Sequence, residues 1–562
     1  MPRYDDTPRS PAQPSEGNVS DRSRAGGTAD ELRVLSEAAS DWSAEAAPMV
    51  PAASIGDRPT IRIDADQLFE MVNQTEAALI KAGLPIFSRG GNLVRPVIER
   101  MPAANGRETL AAKLRELQCA EIIDAMAQTI RFERFDRRLG RLVADWPPSN
   151  VARILMAREG RWSFPSVVGV ITTPTIRRDG SLLTKAGYDP TTLLYHERDT
   201  SLVLPVMASA PTKADAEHAL TLLNALLEEF PFVGAVDRSV ALSGLLTAVG
   251  RGAMTTVPMH AISANTAGSG KSYLVDLFST VATGQACPVI TAGKNEDETE
   301  KRLGALLLAG IAIISIDNVN GELGGDMLCQ VVERPLVRTR ILGHSEMPEI
   351  AVRSTCFATG NNLLLRGDMT RRAILCTLDA EMERPELRQF DFDPITRVLA
   401  DRGAYVAACL TICRAYIVAD RPGRLPSLGS YLEWSDLIRS ALVWLGEEDP
   451  VASMEQVRDK DPLLVAIREL FGQWEECLSL GTKYTTGAII SQADEVSGGI
   501  YHYPDLRDAL LKIAGDGIRI SSKSLGKWLT RIDGRIVRGL RLTVIPDEKH
   551  GNKYVLERVT KK

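Results

Sequence analysis

The spacing of apolar and polar positions divides the chain before any single residue is considered. Residues 1–58 are rich in Pro, Ser, Gly, Ala and acid and lack a sustained apolar period, so a disordered tail is expected there, with room for a short helix over 30–45. A helical period returns over 65–82, and 84–97 reads as a hairpin turning at Gly90 and Gly91. Residues 150–159 look helical. The stretch 167–195 is broken at Asp179–Gly180 and again at Gly187–Pro190, which predicts several short strands. Residues 213–229 predict an amphipathic helix, and 238–250 a second one leading into a short apolar strand at 259–263. From there to about 422, strand and helix alternate, the pattern of a parallel α/β sheet. A helical segment at 430–446 and a linker to 461 follow. Residues 462–562 read as three helices and a basic β-hairpin.

These segments predict five regions: a tail (1–58), a mixed α+β region (59–205), an α/β core (206–425), a helical segment with linker (426–461) and a C-terminal module (462–562). Composition changes this picture little. The 562 residues are 44% hydrophobic and 25% charged, as in an ordinary soluble multidomain protein. Charge is unevenly spread. Residues 519–562 carry twelve Lys and Arg against four Asp and Glu, while the whole chain is at −6, so the remainder sits near −14. A basic terminal module beside an acidic body suggests a polyanionic partner. The eight cysteines form no CxxC pair, and they read as small buried residues of a reducing compartment. The longest apolar run, 305–316, is too short to cross a bilayer, and no signal peptide is evident. A cytoplasmic protein without membrane contact is expected.

The densest chemistry follows the strand at 259–263. Asn265, Thr266, Ala267, Gly268, Ser269, Gly270, Lys271 and Ser272 precede a helical stretch that begins at Tyr273. Small residues between a strand and a helix let backbone N–H groups wrap phosphates, and the helix N-terminus adds partial positive charge. Lys271 would neutralise the outer phosphates of ATP, and Ser272 would hold Mg²⁺. Asn265 stands where such loops usually begin with Gly, and it tolerates left-handed φ better than other residues with a side chain. About 45 residues after Lys271, an apolar strand over 311–317 ends in Asp317, a second candidate for the metal. Asn318 follows, where a water-activating Glu is common. Glu296 and Glu298, after a strand over 289–292, are the candidates for that base, although an acidic helix start is also explained by the helix dipole. A third strand, 354–359, leads to Asn361, an amide able to orient water. Arg371 and Arg372 precede a fourth strand at 373–378 and could reach a neighbouring subunit's phosphate.

The set AGSGKS, IAIISIDN, CFATGNN and DMTRR resembles the AAA+ motors, and superfamily 3 helicases in particular. Between about Trp146 and Pro450, the runs TTPTIRRDGS, GYDPTT, EKRLGALLLAG, TGNNL, GDMTRRAI and EWSDLIRSALVWLGEEDP are similar to replication ATPases of prophages and integrative elements, which resemble the helicase halves of phage primase–helicases. The resemblance covers over half the chain. It implies a P-loop core, ATP and Mg²⁺ as cofactors, Thr359 to Asn361 as the water-sensing motif, Arg371 or Arg372 as a finger acting across subunits, and therefore a homo-oligomeric ring, a hexamer.

Two regions suggest contact with DNA. A hairpin over 336–352, with Arg338, Arg340 and His344 towards its tip, resembles the pore hairpin that grips single-stranded DNA in superfamily 3 helicases; the same residues would also suit a soluble edge. In the C-terminal module a Ser-capped helix places Leu525, Trp528 and Leu529 on one face and Lys523 and Lys527 largely on the other, and a hairpin beginning at Arg535 follows. Helices followed by a basic wing resemble a winged helix, a fold that meets duplex or forked DNA but also serves protein contacts. The expected function is an ATP-dependent DNA helicase of a mobile element. The alternatives are a non-helicase initiator, loader or DNA-remodelling regulator, and a structural nucleotide binder without turnover. No motif for nucleotide polymerisation is evident.

Overall fold

A computed structural model describes residues 58–291, 293, 296–339, 347–547 and 551–559. The tail and its helix, Arg340 and the whole tip of the 336–352 hairpin lie outside these residues, apart from Arg58 at the tail's end.

The centre is a five-stranded sheet. Its strands are β1 (Met259–Ala264), β2 (Val289–Thr291), β3 (Ile313–Leu323), β4 (Thr355–Leu365) and β5 (Ala373–Leu378). They lie in the order β2-β3-β4-β1-β5, and every neighbouring pair is parallel. Parallel strands need both faces covered, which is why β1 reads MHAISA and is buried throughout. Helices α1 (Ala235–Gly250), α2 (Lys271–Thr283) and α3 (Glu296–Leu308) supply part of the cover. Because β4 lies between β1 and β3, its carboxyl end stands beside both the glycine loop and Asp317.

Strand β3 differs from its sequence reading. It does not end at Asp317 but runs on to Leu323, paired with an equally extended β4. The register breaks between Ile316 and Val319 and again between Asn320 and Glu322. Asp317 and Asn318 thus sit in a bulge, with Asn318 at φ 55°. A bulge leaves the extra residues out of the ladder and turns their side chains to a new direction. Gly360 makes the opposing strand fit: a Cβ there would lie 2.5 Å from the Val319 carbonyl oxygen.

The region before the core has four small sheets, two of them built from the short strands between Gly169 and His196. Thr60–Ile63 pairs in parallel with Arg131–Asp136, which forms a hairpin with Arg141–Asp145. Helices Leu68–Lys81, Cys119–Thr129 and Ser149–Met156 pack with this sheet around Val72, Leu79, Ile122, Met126 and Leu155. The expected Gly90–Gly91 hairpin is present as Phe87–Arg89 with Asn92–Pro102, and a third strand, Glu108–Glu116, extends it. Arg89, beside that turn, is buried. It donates to five backbone carbonyls: Val167 (3.2 Å), Val168 (2.9 Å), Leu307 (2.6 Å), Leu308 (3.1 Å) and Ala351 (3.1 Å). Burial lowers its pKa to about 10. Two ion pairs repeat the connection. Arg107 meets Asp276 on α2, and Arg402 meets Asp199 where both are buried.

Residues read as a linker contain the helix Ala452–Lys460, whose Ser453 hydroxyl accepts the Leu375 N–H (3.2 Å). The helix therefore covers the edge strand β5 and satisfies one of its free donors. The C-terminal module has four helices among its described residues, Pro462–Cys477, Thr486–Ala493, Pro504–Ala514 and Ser522–Arg531, one more than expected. The eight-residue Thr486–Ala493 is too short to show a clear period. A four-stranded antiparallel sheet places Tyr484–Thr485 next to Lys553–Arg558, then Leu540–Ile545, then Ile536–Val537. The continuous strand expected from 535 to 545 is instead broken by positive φ at Arg538 and Gly539. All eight cysteines are free; five are buried and three half-buried. Among the described residues no helix is long and apolar enough to cross a membrane.

Candidate active site at the carboxyl ends of the sheet

The glycine loop joins β1 to α2. Gly268 and Gly270 take left-handed φ of 77° and 90°, and Gly270 is the N-cap of α2. The Ser269 hydroxyl donates to the Thr266 carbonyl (2.9 Å), folding the loop on itself. Lys271 Nζ donates to the same carbonyl (2.9 Å). Burial holds its ammonium below the usual Lys range, with the charge of Asp317 acting against that shift. Asn265 begins the loop and donates to Asp379 (3.2 Å). Tyr273 donates its hydroxyl to Asp393 (2.6 Å) and accepts the Ile395 N–H (3.1 Å), so it ties α2 to the helix Pro394–Ala400.

Asp317 is the meeting point. Its Oδ1 accepts from Ser272 Oγ (2.7 Å) and from Thr359 Oγ1 (2.6 Å). The Thr359 hydroxyl in turn accepts the Asn318 N–H (3.1 Å), which pins the bulge. Asn361 lies level with Ala264 on β1 and Asn320 on β3. Its Oδ1 is buried without a hydrogen-bond partner among the described residues, an acceptor held ready beside the loop. Oxygen from one hydroxyl and one carboxylate suits a hard cation that takes its other ligands from phosphate and water. Among the described residues no cluster of three His, Cys, Asp or Glu offers a metal a cage of its own.

The other expected residues are placed less centrally. Glu298 lies in the first turn of α3 and pairs with Arg302. A cleft of about 640 Å³ opens beside Asn318, and the acid of that segment lining it is Glu300, which accepts the Met327 N–H (3.3 Å). The side chain of Glu296 lies outside the described residues. The two arginines separate. Arg372 is buried, paired with Glu333 and with Asp368 (2.8 Å); burial alone would lower its pKa, but these acids raise it. Arg371 is half exposed, 3.1 Å from Asp368 and 3.8 Å from Glu333. Glu333, the shared partner, gave no sequence signal. It ends a short amphipathic helix, Asp326–Glu333, and its role depends wholly on what the fold brings to it.

The expected DNA-contacting residues fall in two other segments, the 336–352 hairpin and the C-terminal module. Arg338 is exposed on the strand Leu336–Arg338 and lies 3.6 Å from Glu349 across the hairpin. Arg340 and His344 fall outside the described residues. Lys523, Lys527 and Arg535 are exposed and carry no ion pair among the described residues, while Leu525 and Leu529 are fully buried on the other side of the helix.

A parallel α/β sheet with a glycine loop at the carboxyl ends of its strands is the class that this geometry defines. No family model matches the chain, and no curated protein matches it. Among solved structures it is similar to the A form apo structure of the NrS-1 C-terminal region, at 12% identity and a TM-score of 0.34, over 86% of this chain and 99% of that one. It is also similar to the X-ray structure of JCV helicase, at 10% identity and a TM-score of 0.18, over 47% of this chain and 73% of that one.

Proposed function

We propose that this chain is an ATP-hydrolysing motor that assembles into a ring and moves on single-stranded DNA, separating duplexes as it goes. The observation that carries the reading is the convergence of Ser272 and Thr359 on Asp317 Oδ1 at the foot of a glycine loop. In this reading the loop N–H groups and Lys271 bind the phosphates of ATP, and Ser272 and Asp317 hold Mg²⁺. Bound Mg²⁺ supplies charge neutralisation at the phosphoryl group. The free Asn361 Oδ1 accepts from the attacking water and orients it. Asn318 cannot take a proton, so the acceptor is a carboxylate of the adjoining cleft, with Glu300 facing it and Glu298 paired away. Arg371, the half-exposed arginine, exchanges its Asp368 contact for a neighbour's phosphates. The basic C-terminal module, read as a winged helix, holds duplex or forked DNA.

Steady-state ATP hydrolysis with and without single-stranded DNA, alongside strand displacement on forked substrates, tests the proposal. Lys271→Ala should abolish turnover while leaving the fold intact. Hydrolysis that DNA stimulates without any unwinding would favour the loader or initiator reading. A wild-type chain whose turnover ignores DNA would overturn the motor.

A further inference from the structure

The hairpin of Arg131–Asp136 and Arg141–Asp145 lies outside every site described so far. Its register with Thr60–Ile63 sorts the side chains into two faces. Ile61 and Phe132 point into the core, and Arg62, Arg131, Phe135 and Leu142 share the opposite face. Phe135 and Leu142 are cross-strand neighbours, 45% and 44% exposed, and Trp146 just beyond them is 81% exposed. At the tip, Asp136 Oδ1 accepts the N–H groups of Arg138 (2.7 Å) and Leu139 (3.1 Å), which fixes a tight turn with Arg137, Arg138 and Arg141 in solvent. Arg131 and Arg134 are neutralised by Glu133 (2.9 Å) and Asp145 (2.7 Å). Arg62, Arg137, Arg138 and Arg141 make no ion pair among the described residues.

Exposed aromatics are costly to leave in water, and a grouped set marks a contact. Here the apolar set is ringed by unpaired guanidinium groups. A second copy laid on this face would bring like charges together, which is unfavourable. Single-stranded nucleic acid fits both features: phosphates meet the arginines, and unpaired bases stack on the rings. We infer that this face and the turn at its end form a second contact for single-stranded DNA, built from Arg62, Phe135 and Trp146 on the face and from Arg137, Arg138 and Arg141 at the turn. The inference rests on the motor reading for its ligand and deepens it, because it gives the region before the core a grip of its own on the strand.

Fluorescence anisotropy of the full chain with labelled oligo-dT, repeated over a range of salt, tests it. The triple variant Arg137→Glu, Arg138→Glu, Arg141→Glu should bind about tenfold or more weakly, and its log–log salt slope should fall by about 2, since each single-strand phosphate contact contributes about 0.7. The double variant Phe135→Ala, Trp146→Ala should lose about fivefold or more with an unchanged slope, as stacking is lost and charge is kept. Wild-type affinity and slope in both variants would overturn the inference and leave the motor reading standing. A changed oligomer mass in sedimentation with DNA affinity intact would also overturn it, because the face would then be a self-contact. Failure of the wild-type chain to bind oligo-dT would remove both readings together.

Discussion

Arg371 and Arg372 are adjacent and chemically identical, yet their surroundings assign them opposite tasks. The guanidinium of Arg372 is buried between Glu333 and Asp368. Its partners are less buried, Glu333 half-buried and Asp368 exposed, so Arg372→Ala should cost about 1.5–3 kcal/mol in urea unfolding through the lost charge-assisted hydrogen bonds. Arg371 is half exposed, and its loss should change stability by less than about 1 kcal/mol. On the proposed function, Arg371→Ala should nevertheless lower kcat about 10³-fold in the assembled ring. Mixing it with Lys271→Ala subunits should restore part of the turnover, because each defect then falls on a different face of the interface. Sequence alone could not separate the pair. Both sit in one polar turn, and the discriminating partner, Glu333, comes from another element. The loop from Asn265 to Ser272 was legible because strand, glycines and helix are contiguous.

At the scale of elements, the extended β3–β4 ribbon decides how the site is held. Gly360 allows the strands to close over the bulge that carries Asp317 and Asn318. Gly360→Ala should force them apart, lowering the melting temperature and turnover together, whereas Gly472→Ala, where an added Cβ meets nothing within 4 Å, should do neither. The sequence showed the apolar runs of both strands but not their length. The polar residues 317–322 look like a turn until pairing with the equally polar end of β4 is known. Strand β1 carries a second consequence. His260 is fully buried against Phe357 and Trp434, with Nε2 3.0 Å from Ser243 Oγ, and burial pulls its pKa from 6.5 to about 3. Between those values the unfolded chain binds a proton that the folded chain refuses. Stability from this residue is therefore complete above pH 6.5 and is lost as pH falls towards 3, by up to about 1.4 kcal/mol per unit. His260→Gln, which keeps a polar group for Ser243 but cannot titrate, should flatten that acid limb in urea midpoints compared at about pH 7 and about pH 4.5.

For the whole molecule, Arg89 is the fastening. One side chain, from a turn that sequence reading identified only as a hairpin, holds the carbonyls of a preceding loop, the end of α3 and the strand Glu349–Ala351. Arg89→Ala would remove five hydrogen bonds, three of them buried, each worth about 1 kcal/mol, so a fall of several kcal/mol in stability is expected by urea unfolding. Arg89→Lys should recover little of it, since an ammonium cannot span that fork. Nothing in the local pattern announces this contact, because its partners lie up to 262 positions away. It also sets a practical limit on dissection. An expression clone that starts at the predicted boundary near residue 206 would expose the underside of the sheet, where Ala111 joins the core cluster and Leu114 packs on Gly310, as a raw apolar surface. Such a fragment should collect in inclusion bodies, while one beginning at residue 58 should remain in the supernatant.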